Sequence, residues 1–102
     1  MTTFRSIADI KARNAAVGNF WFSPDTLRFF NSDVYGEVYG SGLFITSERM
    51  ELHMPKLYTV RYARADGDIS TVGKFQGHNT LGWARKAAKQ WAAIDAFFGG
   101  KP

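Results

Sequence analysis

The stretch from Leu57 to Phe98 constrains this 102-residue chain most. It reads strand, tight turn, strand, helix. Two strand-like runs flank Asp66-Gly67, a dipeptide that supplies the positive φ angles of a two-residue type I′ hairpin turn. With that turn the register is set: Ala65 faces Asp68, Arg64 faces Ile69, Tyr62 faces Thr71, Val60 faces Gly73 and Tyr58 faces Phe75. Tyr58, Val60, Tyr62, Ile69 and Phe75 then share one face, and Thr59, Arg61, Ala63, Ser70, Val72 and Lys74 share the other. An aromatic, apolar face opposite a polar, basic one is the pattern of an antiparallel sheet covered on one side.

After Phe75, the segment Gln76-Gly77-His78-Asn79 reads as a loop, and Asn79 or Thr80 caps a helix. Ala84, Ala87, Ala88, Trp91, Ile94 and Phe98 make its apolar stripe, with Arg85, Lys86 and Lys89 opposite. The alanines allow a close approach to the sheet, and Gly73 on the inner face offers the place for it. Gly99-Gly100 ends the helix.

Upstream, Phe4, Ile7, Ile10 and then Asn14 or Ala15 recur at helical spacing, giving a helix from Thr3 to Val17, capped by Thr2 or Thr3 and closed by Gly18. In Phe20-Trp21-Phe22, Trp21 points away from its two neighbours. Ser23-Pro24-Asp25 is a helix start, with Ser23 as N-cap, Pro24 in the first turn and Asp25 favourable to the dipole. That second helix runs Pro24–Phe30 and ends at Asn31 or Ser32. Residues 33–42, with glycines at 36, 40 and 42, read as an irregular strand or hairpin arm. They are not a phosphate loop, since no Gly-Lys-Ser/Thr follows. Leu43–Thr46 is a strand that Ser47–Met50 continues or turns out of. The fold expected is α+β: an antiparallel sheet of three or four strands, a carboxy-terminal helix packed on one face and two short amino-terminal helices, in one domain spanning 1–102.

Charge and cysteine usage bound the function. The net charge is +4, unevenly spread: residues 1–51 carry five cations against six acids, and residues 52–102 carry eight against three. A basic hairpin-helix half suits an anionic partner, either nucleic acid or an acidic protein face. There is no cysteine, hence no disulfide framework, zinc ribbon or thiol chemistry. The start lacks a secretory build and no apolar run reaches a membrane span, so a cytoplasmic protein without a membrane partner is expected. His53 and His78 lie in loops with no ligand spacing around them, and no nucleophile elbow is present. No catalytic residues, metal or cofactor are assigned. The candidate contacts are Arg61, Lys74, Arg85, Lys86 and Lys89 for nucleic acid or a partner, and Trp21 and Phe97 for an aromatic interface.

Gly73-Lys74-Phe75 followed by Ala84, Ala87 and Ala88 is similar to the sheet-and-helix pattern of the AP2 and tyrosine-integrase arm-binding DNA modules. That resemblance implies an exposed sheet face in the major groove, with Arg61 and Lys74 as contacts. Over most of its length the chain resembles small accessory proteins of phages and plasmids, through FWFSPDTLRFFNS at 20–32, FITSE at 44–48, YTVR at 58–61 and TVGKFQG at 71–77. This implies an accessory gene of a mobile element, of the kind that encodes inhibitors of host defence nucleases or small DNA-binding regulators. With no catalytic set in the sequence, the function expected is a non-enzymatic protein that inhibits a host nucleoprotein or defence protein complex stoichiometrically, in the anti-CRISPR or anti-restriction manner. The alternatives are a DNA- or RNA-binding module using the basic sheet face and a homodimerising interaction domain.

Overall fold

The computed structural model describes residues 4–29, 31–49, 51 and 53–94. In chain order the elements are α1 (Ile7–Ala16), α2 (Pro24–Phe29), β1 (Asp33–Val34), β2 (Leu43–Glu48), β3 (Leu57–Ala63), β4 (Ile69–Val72) and α3 (Leu81–Ile94). The four strands form one antiparallel sheet in the order β1-β2-β3-β4. This is the α+β architecture expected, with α3 on one face of the sheet.

Capping chemistry fixes the helix ends. Ser6 caps α1, its Oγ accepting the Asp9 N–H at 3.2 Å. The helix therefore starts later than the sequence suggests, and Thr2 and Thr3 lie outside the described residues. At its other end Gly18, at φ +78°, closes a Schellman motif: the Gly18 N–H reaches the Ala15 carbonyl and the Asn19 N–H reaches that of Asn14. Ser23 caps α2 with its Oγ on the Thr26 N–H, and Asn31 beyond it is in the left-handed region; Phe30, the expected last residue, lies outside the described residues. Thr80 caps α3, accepting the Trp83 N–H at 3.2 Å.

The hairpin register differs from the sequence expectation by one residue. Val60 pairs with Val72, Arg61 with Thr71, Tyr62 with Ser70 and Ala63 with Ile69. The turn holds three residues, Ala65, Asp66 and Gly67: the Gly67 N–H bonds the Arg64 carbonyl at 2.9 Å, and the Arg64 N–H bonds that of Asp68 at 2.9 Å. Gly67 takes the positive φ, +92°, of a bulged three-residue loop. The tip is held by α1, where Asn14 Nδ2 donates to the Gly67 carbonyl at 2.8 Å and Arg13 donates to that of Ala65. A side chain at Gly67 would also run into Val17. Gly67→Ala is expected to lose about 1–2 kcal/mol from the backbone alone, seen as a lower urea midpoint.

A one-residue slip reverses a strand's faces. On β3 the sequence assignment holds: Tyr58, Val60 and Tyr62 face α3, and Thr59, Arg61 and Ala63 face away. On β4 it inverts. Val72 packs toward α3, while Ile69 joins the opposite face. Gly73 does not receive the helix; it follows β4 at φ +75° with open space where a Cβ would stand.

The sheet is covered on both sides, not one. On one side Leu43, Ile45 and Val60 pack against Ala84 and Ala88 of α3, all buried. Because alanines set that seam, the larger residues ride its margin, and Trp91 and Ile94, expected within the stripe, are 40% and 46% exposed. Phe98 of that stripe lies outside the described residues. On the other side Phe44, Ala63 and Ile69 are covered by Phe4, Ile7, Ile10, Trp21 and Phe22. Gly42 permits this closure, since a Cβ there would stand 3.0 Å from the Ala63 carbonyl and 3.1 Å from the Phe4 ring.

Candidate functional site

The face away from α3 changes character along its strands. At the hairpin end it is Phe44, Ala63 and Ile69; at the other end it is Thr46, Glu48, Thr59, Arg61 and Thr71. The antiparallel register brings these five side chains together. Glu48, 1% exposed, accepts from Thr59 Oγ1 at 2.6 Å through Oε1 and from Thr46 Oγ1 at 2.5 Å through Oε2. Arg61 Nη2 lies 3.4 Å from Oε2. Arg61 Nε donates to Thr46 Oγ1 at 3.2 Å and Nη1 to Thr71 Oγ1 at 2.5 Å.

Two aromatic rings hold the guanidinium. Trp21 and Phe75 each place a ring centroid 5.4 Å from Arg61 Cζ, within cation–π range. Trp21 is positioned by edge-on contacts with Phe22 and Phe44 and by its N–H on Asn14 Oδ1 at 2.7 Å. Phe75 is positioned by its neighbour Gln76, whose N–H donates to Thr59 Oγ1 at 2.8 Å and whose Nε2 donates to the Glu48 carbonyl at 3.2 Å. Burial pulls the Arg61 pKa below the usual arginine value, and Glu48 pulls it back up. Arginine stays charged throughout the accessible pH range.

Above this pair opens a cleft of about 510 Å³, between α2 and the loop after β4. Trp21, Leu27, Phe75 and Arg61 line it with Asp25, Thr26 and Ser32. A second hollow of about 350 Å³ adjoins it, sharing Leu27 and Ser32 and adding Arg28, Asn31, Asp33, Arg49 and Lys56. Lys56 Nζ sits 3.0 Å from Asp33 Oδ2. Among the described residues three non-glycines have positive φ, namely Phe20, Asn31 and Gln76. One precedes Trp21, one lines the second hollow and one follows Phe75. Left-handed backbone costs of order 1–3 kcal/mol per residue and gathers at ligand clamps.

Of the residues singled out from the sequence, Arg61 and Trp21 meet here. Arg61 does not stand on an open sheet face, because the amino-terminal aromatics and the Phe75 loop cover it; its side chain is 11% exposed. Lys74 is exposed beside Phe75. Arg85, Lys86 and Lys89 are on α3, across the sheet. Arg85 is bound to Glu37 at 2.8 Å. Tyr39 and then Arg85 hold the Glu37 carboxyl below its usual pKa. Lys86 lies 5.1 Å from the Trp83 ring. Phe97 is outside the described residues. Sequence reasoning missed Glu48 and its threonines. The signal was parity: Thr46 and Glu48 share a face of one strand, as do Thr59 and Arg61 on the next. Among the described residues no group of three or more His, Asp or Glu could hold a metal ion, and no helix is long and apolar enough to cross a membrane.

Fold and site together define a small antiparallel α+β protein with an open cleft over a buried Glu–Arg pair. Residues 6–89 match the Family of unknown function (DUF7447), and the chain belongs to that family. The match takes in the whole sheet, both walls of the cleft and most of α3. No curated protein and no solved structure matches the chain.

Proposed function

We propose that this protein is a non-enzymatic binding protein whose contact surface is the cleft over Arg61. The observation that carries the reading is the Glu48–Arg61 pair. A buried ion pair contributes little net stability compared with apolar residues of the same volume, so its value lies in holding a charged group at a fixed place. Here that place is the cleft floor between two aromatic rings. Binding is favoured over catalysis because the Glu48 carboxylate is buried and accepts two threonine hydroxyls beside Arg61, leaving it poorly placed as a base.

The resemblance to phage and plasmid proteins supplies the setting: stoichiometric inhibition of a host nucleic-acid-handling complex, of the anti-CRISPR or anti-restriction kind. A duplex read by an open sheet face is disfavoured, because that face is covered by Phe4, Trp21 and Phe22.

The test is affinity capture from host lysate with wild-type protein and Asp25→Trp, which fills the cleft from its exposed rim. Wild type is expected to retain a discrete complex at fixed ratio and the variant to retain about tenfold less. Equal retention by both, or none by wild type, would overturn the reading.

A further inference from the structure

The two adjoining hollows segregate their chemistry. The end over the sheet is aromatic and apolar, with Trp21, Phe75 and Leu27. The end beyond Ser32 is lined by the cations Arg28, Arg49 and Lys56, with Lys56 bound to Asp33. An occupant that matches both ends has a flat unsaturated part and, a short distance along, repeated negative charge. We infer that the groove takes single-stranded nucleic acid, a base stacking at the Trp21–Phe75 end and the backbone phosphates passing Arg28, Arg49 and Lys56.

A duplex does not fit this chemistry, because a paired base offers its faces to its stacked neighbours and not to a protein ring. Unpaired bases stack on aromatic side chains whatever their identity, and a cationic groove follows the backbone. Arg61 spends three of an arginine's five N–H donors on Thr46, Thr71 and Glu48. The remaining two are on the two terminal nitrogens at the cleft floor, suited to the acceptor edge of a base. Asp25 and Thr26 on the rim of the same hollow suit a donor edge. The rings are placed before any ligand arrives, Trp21 by its edge-on contacts with Phe22 and Phe44 and Phe75 by the hydrogen bonds of its neighbour Gln76. Such preorganisation lowers the ordering cost of binding.

This inference rests on the cleft being the contact surface. Its test is fluorescence anisotropy of a labelled oligodeoxythymidine of about ten nucleotides, at about 50 mM NaCl. Saturable one-to-one binding is expected, weakening with a log–log salt slope of roughly −1.4 to −2, the release from two or three phosphates. Phe75→Ala is expected to weaken binding about fivefold or more, as loss of one stacked base does. Arg28→Glu is expected to weaken it about tenfold and to flatten the salt slope. Arg64→Glu makes the same two-unit charge change at the distant hairpin tip and is expected to leave binding far less affected than Arg28→Glu.

Absence of saturable binding overturns the inference. So does equal affinity for a blunt duplex of the same length or for an acidic peptide of equal charge, or indifference to both Phe75→Ala and Arg28→Glu. If the oligonucleotide does not bind while Asp25→Trp still abolishes capture from nuclease-treated lysate, the groove takes protein and this inference alone falls. If the oligonucleotide binds and no complex is captured, the inhibitor reading falls and this one stands.

Discussion

Glu48→Gln is expected to destabilise the fold by about 3 kcal/mol or more. The substitution keeps the shape of the side chain and removes only its charge, leaving the Arg61 guanidinium inside the sheet face without a counter-ion. The amide nitrogen it introduces also meets threonine hydroxyls that now donate to the carboxylate. Urea denaturation at constant m measures the loss. The paired change Glu48→Leu with Arg61→Met is expected to recover most of it, since a buried ion pair replaced by apolar volume is often neutral or stabilising. A Glu48→Gln midpoint equal to wild type would show that the pair is solvated and would remove the basis for a preset charge in the cleft. The double variant separates stability from binding: it is expected to fold and to lose the cleft contact.

Asn14→Ala also has a large expected effect, about 2–6 kcal/mol, from two backbone groups left without partners at about 1–3 kcal/mol each. Asn14 is 1% exposed and sits in α1, yet its amide serves two other parts of the chain. Nδ2 donates to the Gly67 carbonyl at the hairpin tip, and Oδ1 accepts the Trp21 N–H on the way to the cleft. Its loss is expected to lower the urea midpoint and to speed hydrogen exchange at the Trp21 amide beyond that of the α3 amides. Uniform acceleration across the molecule would mean that Asn14 supports the fold generally and does not tie these three segments together.

Local chemistry was legible in the sequence where one residue type has one dominant use. Ser23-Pro24 starts α2, Gly18 ends α1 and the alanines of α3 meet the sheet. The faces of β3 followed from alternation alone. The hairpin register did not, because Asp-Gly serves both as a complete two-residue turn and as the last two residues of a bulged three-residue one. Choosing between them requires the α1 contacts to Ala65 and Gly67, which lie more than fifty positions away in sequence. The site was half legible for a similar reason. Arg61 and Trp21 were identifiable as interesting, but a cation on a strand reads as solvated until something is known to cover it. What covers it arrives from residues 20–22 and 73–77, the two stretches with the weakest periodicity in the chain.

The three-residue loop has a consequence well beyond the turn. By adding one position it places Thr71 opposite Arg61, where the hydroxyl accepts Nη1. A two-residue turn over Asp66-Gly67 in the same sequence would bring Val72 to that spot and set an isopropyl group against the guanidinium. Loop length thereby selects whether the strand neighbouring the arginine supplies an acceptor or a hydrocarbon. The register chosen at the hairpin tip therefore sets the chemistry of the cleft floor through residues that do not line it.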